Sequence, residues 1–232
     1  AHAIPVAETQ AGKSAMGDDQ PLALGSIGVT GTSAANMMAE QADVIIAVGT
    51  RMQDFTTGSW ALFKNPARQF LHVNISTFDA AKQFATSLVS DARVALELLH
   101  QALGAWSAPA AWAAQAQSKK VEWLTAVHAA TKNNGSDMPS DAHVIGAVMR
   151  SFGSNATVVC AAGGLPGELH KLWHATAPGS YHMEYGYSCM GYEIAGGLGV
   201  KLAKPAAEVI VMLGDGSYLM MNSEIATSVA MG

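Results

Sequence analysis

The stretch Val209-Ile-Val-Met-Leu-Gly-Asp-Gly-Ser217 decides the fold of this 232-residue chain. Its first five residues are apolar and mostly β-branched, which is typical of a strand buried in a sheet. An Asp-Gly pair after such a run also occurs in two-residue hairpin turns. Here Met221, Ile225 and Val229 follow at helical spacing, so the loop opens a helix and no second strand returns. The stretch therefore predicts a strand, a glycine loop and a helix.

This glycine loop has the composition of an anion site. Glycines between a strand and a helix let the backbone approach a phosphate, and the N–H groups of Gly216, Ser217 and the first helical turn point at it. Asp215 adds a carboxylate at the end of the strand, a hard oxygen ligand that suits Mg²⁺ or Ca²⁺ bridging to a diphosphate. Gly214, Asp215, Gly216 and Ser217 are therefore candidate phosphate-binding residues, and Asp215 is the candidate metal ligand.

Strand and helix patterns alternate along the rest of the chain. Such alternation predicts an α/β fold of open, mostly parallel sheets with flanking helices, in which ligands lie beyond the carboxyl ends of the strands. A Gly/Pro-rich loop at 163–167 follows one of those strands. The predicted strands are 4–9, 44–48, 70–75, 157–160 and 209–213, and the predicted helices are 32–41, 91–103, 112–131, 140–151, 168–175 and 191–202.

The composition of residues 105–139 indicates a connector between two units. The segment is rich in Ala and Gln, contains one helical pattern, and ends in the loop Asn133-Asn134-Gly135-Ser136. We therefore predict a first unit at 1–104, a connector at 105–139 and a second unit at 140–232.

Charge and cysteine usage exclude several classes of partner. The chain has 13 basic and 18 acidic residues, a net charge of −5, and no basic cluster beyond Lys119-Lys120, so nucleic acid is not expected. No apolar run reaches eighteen residues, so no membrane partner is expected either. Cys160 and Cys189 form no CxxC pair, which favours the reducing cytoplasm. Only 13% of residues are charged, which indicates a surface partly covered by another subunit or domain.

The 209–217 stretch resembles the first half of the metal-diphosphate motif of thiamine diphosphate-dependent enzymes; its second half, an Asn-Asn pair, would lie beyond Gly232. Ser188-Cys-Met-Gly-Tyr192 resembles the segment that holds the aminopyrimidine, with Met190 as the bulky residue that props the cofactor into a bent shape. Gly163-Gly164-Leu165 falls where relatives carry Gly-Gln-His over the diphosphate, and here the Gln and His are absent. The resemblance implies thiamine diphosphate and Mg²⁺ as cofactors, held by Gly163, Gly164, Leu165, Ser188, Met190, Gly214, Asp215, Gly216 and Ser217.

The first unit resembles the second half of the central, Rossmann-like domain of the same enzymes. The resemblance rests on four segments: Ile4-Pro-Val6, Gly12-Lys-Ser14, Gly25-Ser-Ile-Gly-Val-Thr-Gly31-Thr32, and the run from Ala42 to Arg51. It implies part of that domain joined to the first half of the diphosphate-binding domain. Some relatives bind a flavin or ADP on the central domain, for which Arg51 is the candidate contact, although nothing in this sequence requires either.

Tyr181-His-Met-Glu-Tyr-Gly-Tyr-Ser-Cys-Met-Gly-Tyr-Glu193, supported by 161–171, resembles the family members that open a polyhydroxylated cyclohexane-1,2-dione in myo-inositol catabolism. Acetolactate synthases have a plainer Gly/Ser/Leu-rich segment there. A polar, aromatic segment suits such a polyol-derived diketone because each buried hydroxyl needs a hydrogen-bond partner. The candidate substrate residues are His182, Glu184 and Tyr187, and the alternative is that this segment simply packs along an edge strand.

The resemblance implies a thiamine diphosphate- and Mg²⁺-dependent hydrolase acting on a C–C bond, a homodimer or homotetramer in its full-length form. Its activating glutamate belongs to the family's N-terminal domain, so no catalytic residue is assigned here. We expect this sequence to be a fragment and, by itself, inactive. Two alternatives stay open, namely an acetolactate synthase-like carboligase and a non-catalytic nucleotide-binding α/β module.

His170 and His174 have the i, i+4 spacing that a zinc site can use. No third ligand and no HExxH motif accompanies them, so we interpret both as surface or interface histidines.

Overall fold

The computed structural model describes residues 2–132, 135, 138–152 and 156–232. Every strand pair in this part of the chain is parallel. The strands are β1 (Val6–Glu8), β2 (Ala23–Ser26), β3 (Val44–Val48), β4 (Gln69–Asn74), β5 (Thr86–Val89), β6 (Thr157–Cys160), β7 (Tyr181–Met183) and β8 (Val209–Val211). They form three sheets with the strand orders β1-β2, β3-β4-β5 and β7-β6-β8.

Helices cover most of the remaining described residues. None of them is long and apolar enough to cross a membrane. They are α1 (Ser33–Gln41), α2 (Asp54–Thr57), α3 (Thr77–Ala80), α4 (Ala92–Leu103), α5 (Ala110–Thr131), α6 (Asp141–Phe152), α7 (Gly164–Leu172), α8 (Tyr192–Ala203), α9 (Asp215–Met221) and α10 (Ser223–Met231), with a short 3-10 turn at Lys82–Phe84.

The predicted fold class is confirmed: parallel sheets alternate with flanking helices. The strands predicted at 44–48 and 157–160 match β3 and β6. Helix α1 begins after Thr32, whose Oγ1 accepts a hydrogen bond from the N–H of Ala35 at 3.0 Å. Helix α4 begins after Asp91 and ends at Gly104, as its capping residues predict.

Two strands and the burial of a third differ from the sequence prediction. Strands β2 and β5 were not predicted from the sequence. Their residues, Ala-Leu-Gly-Ser and Thr-Ser-Leu-Val, lack the continuous apolar run by which β6, a strand of the same length, was predicted. Strand β3 has such an apolar, β-branched run, which is typical of a buried strand, but Val44 is 54% exposed.

Helix α7 begins four residues earlier than predicted. The sequence places a Gly/Pro loop at 163–167 and a helix at 168–175, whereas the helix runs from Gly164 to Leu172. Pro166 sits in the first turn, where a missing N–H and a fixed φ are compatible with a helix. The glycines that follow β6 therefore form the start of a helix.

Helix α5 runs through the segment predicted as a connector and packs on both units. Ala116 belongs to the apolar cluster of Leu24, Ala35 and Met38, while Trp123 packs against the cluster around Ile145. Asn133, Asn134 and Ser136 of the predicted loop lie outside the described residues. The unit boundary within 105–139 stays a prediction.

Buried hydrogen bonds join the first unit to the second. The N–H of Ala175 donates to Asp18 Oδ2 at 2.8 Å, and the N–H of Asp18 donates to the carbonyl of Ala175 at 2.8 Å. Ser14 Oγ accepts from the N–H of Tyr181 at 3.1 Å. Because these groups are removed from water, separating the two units would leave several donors and acceptors unpaired.

His170 is fully buried between the two units. Of the two predicted positions, surface or interface, it therefore occupies an interface. Its Nδ1 lies 2.8 Å from Thr30 Oγ1, and Ser26 Oγ donates to its carbonyl at 2.7 Å. Burial lowers the pKa of His170 to about 3, so the ring is neutral. His174 is partly exposed, with Nδ1 3.9 Å from Asp18 Oδ2. Within the described ranges, no three His, Cys, Asp or Glu side chains lie together as a metal site would require.

We expect Thr32→Ala to lower the free energy of unfolding by about 1 to 2 kcal/mol, because the hydroxyl caps α1 and also donates to the carbonyl of Leu24 at 2.7 Å. Chemical denaturation monitored by circular dichroism measures the change. Thr125→Ala, on the exposed face of α5, is the matched control and should cost less. Equal losses in the two variants would contradict the capping role.

Candidate functional site

The glycine loop after β8 opens a helix, as predicted. Gly214 is extended, with φ −82° and ψ 168°, and α9 begins at Asp215, so the hairpin alternative is excluded. Asp215 is exposed, and its Oδ1 accepts the N–H of Gly216 at 2.9 Å. The loop therefore presents backbone N–H groups and one carboxylate at the carboxyl end of β8, which is an arrangement that binds anions and hard cations.

Ser217 is the buried polar group of this loop. The residue is 1% exposed, and its Oγ has no hydrogen-bond partner among the residues that the structure describes. A buried hydroxyl without a partner costs free energy, and a bound ligand can satisfy it. The Ser217 hydroxyl is therefore the group of this loop whose hydrogen bonding a bound ligand can complete.

The loop that carries Met190 packs against the start of α9. A Cβ on Gly216 would lie 3.0 Å from Met190 Cε, and a Cβ on Gly191 would lie 2.8 Å from Met221 Cγ. Gly191 also has φ +90°, which favours glycine. Two motif segments more than twenty residues apart thus meet, and Met190 remains 43% exposed beside the glycine loop.

Glu184 organises the same loop. Its Oε1 accepts the N–H of Tyr187 at 3.0 Å, and its Oε2 accepts the N–H of Cys189 at 2.6 Å. Burial raises the pKa of Glu184, but the backbone donors Cys189, Tyr187 and Gly186 together hold that pKa below its usual value. Ser188, exposed and in a left-handed conformation with φ 57°, lies between the two donors. Both carboxylate oxygens are thus occupied by the chain itself.

Glu193 is a residue of this site to which the sequence assigned no role. It is fully buried in the first turn of α8, where Oε2 accepts the N–H of Gly191 at 2.9 Å and Oε1 has no partner in the described part of the chain. A glutamate at the start of an otherwise apolar helix is the signal that could have identified it. Its one bond holds the turn that follows Met190.

The second glycine loop lies at the carboxyl end of β6. Gly163 has φ +125° and precedes α7, and a Cβ on Gly164 would meet nothing within 4 Å. Leu165 packs against the apolar core of the second unit. Any contact of Leu165 with a ligand would therefore be made by its backbone.

The candidate substrate residues are distributed along β7 and the loop after it. His182 is half-buried on β7, and within the described ranges its Nε2 has no hydrogen-bond partner, whereas Tyr187 is 92% exposed. Tyr185 makes an edge contact with Phe55 of α2, with ring centroids 5.7 Å apart, and burial raises its pKa to about 12. A hollow of about 640 Å³ lies between α2 and this loop, with Gln53, Asp54 and Lys82 in its wall.

The thiol of Cys160 is not a nucleophile. Its Sγ donates to Tyr181 Oη at 3.1 Å, both residues are buried, and burial raises the pKa of Cys160 to about 12. The two side chains pack inside the sheet behind the site.

Comparison with known proteins places these features in one family. Residues 1–99 match the family description "Thiamine pyrophosphate enzyme, central domain", and residues 161–232 match "Thiamine pyrophosphate enzyme, C-terminal TPP binding domain". Together the two matches cover most of the chain. The glycine loops, Met190 and Asp215 described above all fall inside the second match, and Arg51 falls inside the first.

Curated relatives align along nearly all of the chain. A protein of Clostridium perfringens strain 13 named 3D-(3,5/4)-trihydroxycyclohexane-1,2-dione hydrolase is 43% identical over 97% of this chain and 39% of its own length. Proteins of the same name from Geobacillus thermodenitrificans strain NG80-2 and Bacillus thuringiensis strain Al Hakam are 45% and 42% identical, over 99% and 97% of this chain. The chain spans 39% of the length of each. It belongs to the thiamine pyrophosphate enzymes and carries sequence of their central and C-terminal domains.

Proposed function

We propose that this chain is part of a thiamine diphosphate- and Mg²⁺-dependent hydrolase that opens a polyhydroxylated cyclohexane-1,2-dione in myo-inositol catabolism. The observation that carries the proposal is the identity of 42 to 45% to relatives of that name along at least 97% of the chain. The polar segment 181–193 supports the same substrate class, since a carboligase of small keto acids has no need of it.

The residues present fit the diphosphate and its metal. Gly214 and Gly216 carry no side chain that would block the approach of a phosphate, and the unpaired Ser217 Oγ is a donor for a phosphate oxygen. The exposed carboxylate of Asp215 would hold Mg²⁺. Gly163 and Gly164, at the neighbouring strand end, would approach the diphosphate with their backbone, as would Leu165.

Thiamine diphosphate, when bound, supplies a carbon nucleophile and an electron sink for C–C cleavage. The protein's own part is to position it. Met190, in contact with the start of α9, would hold the two rings in a bent arrangement, with Ser188 beside the aminopyrimidine. Glu184 keeps the loop that carries both residues in place through its bonds to Tyr187 and Cys189.

His182 and Tyr187 would bind the hydroxyl groups of the diketone. His182 offers an unpaired Nε2, and Tyr187 offers an exposed phenol. Glu184 stays a candidate substrate residue, because each of its carboxylate oxygens can accept a further hydrogen bond, and it also positions the loop through its backbone donors. The overall reaction adds water across one C–C bond of the ring and yields a carboxylate and an aldehyde in one open chain.

The exposed surface and the thiols of the chain support two further parts of the proposal, the oligomeric state and the cellular compartment. Leu219, Met220 and Val229 on α9 and α10 are 70%, 58% and 77% exposed, which supports a homodimer or homotetramer that covers this face. Cys160 and Cys189 are both free, which supports the cytoplasm.

The direct test is to incubate the full-length enzyme that contains this chain with thiamine diphosphate, Mg²⁺ and the cyclic dione, and to follow the carboxylate product by NMR. Ring opening is expected. Formation of acetolactate from pyruvate without ring opening would instead identify a carboligase, and binding of ADP without either activity would identify a nucleotide-binding module.

Asp215→Asn should weaken the binding of Mg²⁺ and of thiamine diphosphate together. Mg²⁺ and the diphosphate favour each other's binding, so a lower affinity for one lowers the affinity for the other. We expect each affinity to fall by at least roughly 10- to 100-fold, which is the loss that follows when a residue supporting a metal ligand is removed. Isothermal titration calorimetry measures both affinities. Asp43→Asn, an exposed aspartate of the first unit, is the control, and an unchanged Mg²⁺ requirement in the Asp215 variant would rule out the metal role.

Met190→Ala should lower the rate of C2 proton exchange and of ring opening by about 100-fold, because misplacing reacting atoms by about 1 Å costs that much. The affinity for thiamine diphosphate should fall much less, since the glycine loop is intact. Met190→Leu keeps the bulk and should keep most of the rate, and Met37→Ala on α1 is the control. If the Ala variant matches the wild type in both assays, Met190 only fills space.

A further inference from the structure

A cleft of about 770 Å³ lies between α5, α6 and the last turn of α7. Helix α7 begins beside the glycine loop of the cofactor site and ends at the cleft, so the two sites lie at opposite ends of this helix. The volume is within the range of about 300 to 1,000 Å³ that small-molecule pockets have. The cleft shares no residue with the candidate cofactor or substrate site.

The floor of the cleft is apolar. Trp123, Leu124 and Val127 of α5 face Met149 of α6 and Trp173 at the end of α7. Two indole rings and three aliphatic side chains form a surface that favours a hydrocarbon chain or a ring over water. An occupant of this floor therefore has an apolar body.

Positive charge is concentrated around that floor. Five of the 13 basic residues of the chain line the cleft, whereas among the residues that the structure describes Asp18 is the one acidic residue in its wall. Because the chain as a whole carries a net charge of −5, this enrichment is local. The five are Lys13, Lys120, Lys132, Arg150 and Lys171.

The bonds already made within the cleft do not neutralise these cations. Asp18 accepts the N–H of Ala175 and lies 3.7 Å from Lys13 Nζ, so it offsets one charge. Lys171 is paired with Glu168 at 2.8 Å. Lys120 donates to the main-chain carbonyls of Asp18 and Gln20 and lies within the field of the Asp18 and Asp19 carboxylates. Arg150 donates to the uncharged carbonyl of Thr131, and within the described part of the chain neither Arg150 nor Lys132 forms an ion pair. The cleft therefore retains a positive field beside its apolar floor.

We propose that this cleft binds an amphipathic carboxylate, that is, one carboxylate group on an apolar chain. The apolar chain would lie against Trp123 and Trp173, and the carboxylate would face Lys132 and Arg150. The volume, the apolar floor and the positive charge of the cleft all favour this ligand chemistry. The residues that line the cleft take no part in the reaction proposed above. A binding site of this kind would let an organic acid associate with the protein away from the cofactor.

The test is calorimetric titration of the intact protein with decanoate below its micelle concentration, with tryptophan fluorescence recorded in parallel. We expect one decanoate per chain, a change in indole emission, and at least tenfold weaker binding of decanol, which has the same carbon chain without the charge. Saturating thiamine diphosphate and Mg²⁺ should leave the affinity unchanged. If decanoate does not bind, for example because a polypeptide segment fills the cleft, the proposal is wrong.

Two variants locate the site. Lys132→Gln combined with Arg150→Gln should weaken decanoate binding at least tenfold and leave decanol binding unchanged. Leu124→Trp should abolish both by filling the cleft from the exposed side of α5. Lys64→Gln, which removes an exposed lysine paired with Glu40 on the first unit, is the matched control. Equal effects of the Lys64 variant and the double variant, or full binding by Leu124→Trp, would show that the carboxylate binds elsewhere.

Discussion

Parallel pairing of β6 with both of its neighbours determines where every ligand-binding element of the second unit lies. Val158 aligns with Tyr181 on one side and Ile210 on the other, so β6, β7 and β8 end at the same edge. The loops that follow β6 and β8 both lead into helices there, and a glycine, Gly163 or Gly214, immediately precedes each helix. Because parallel strands end together, two loops distant in sequence lie at the same edge of the sheet, where ligands bind in such folds. An antiparallel arrangement would send them to opposite edges.

Carboxylates that bind backbone amides shape the segment between those loops. Glu184 accepts two loop N–H groups, and Glu193 accepts the N–H of Gly191. These amides belong to no strand or helix ladder, so a side chain must satisfy them. The acids of the segment therefore place Ser188 and Met190 by fixing the backbone around them. The polar character of this segment thus serves its local structure as well as any substrate.

The contact between the two units is polar and buried, which makes it directional. Asp18, Ser14 and Ser26 each bond to the main chain of α7 or the residues that follow it, up to the start of β7. Hydrogen bonds of this kind specify one relative placement, whereas apolar contact alone would tolerate sliding. The same placement brings Phe55 of the first unit against Tyr185 and closes the cleft lined by Trp123 and Trp173.

The sequence by itself determined the elements whose signals are local. The run 209–217 predicted a strand, a glycine loop and a helix, and the helices predicted at 32–41 and 91–103 match α1 and α4 to within one residue at each end, because periodicity and end signals depend on residues a few positions apart. The tertiary structure alone decided the contact of Met190 with Gly216, the burial of His170 between the units, the occupation of Glu184 by backbone donors, and the charged cleft under α5. Each of these joins residues from separate elements, and no periodicity within one element specifies which surface of another it will meet.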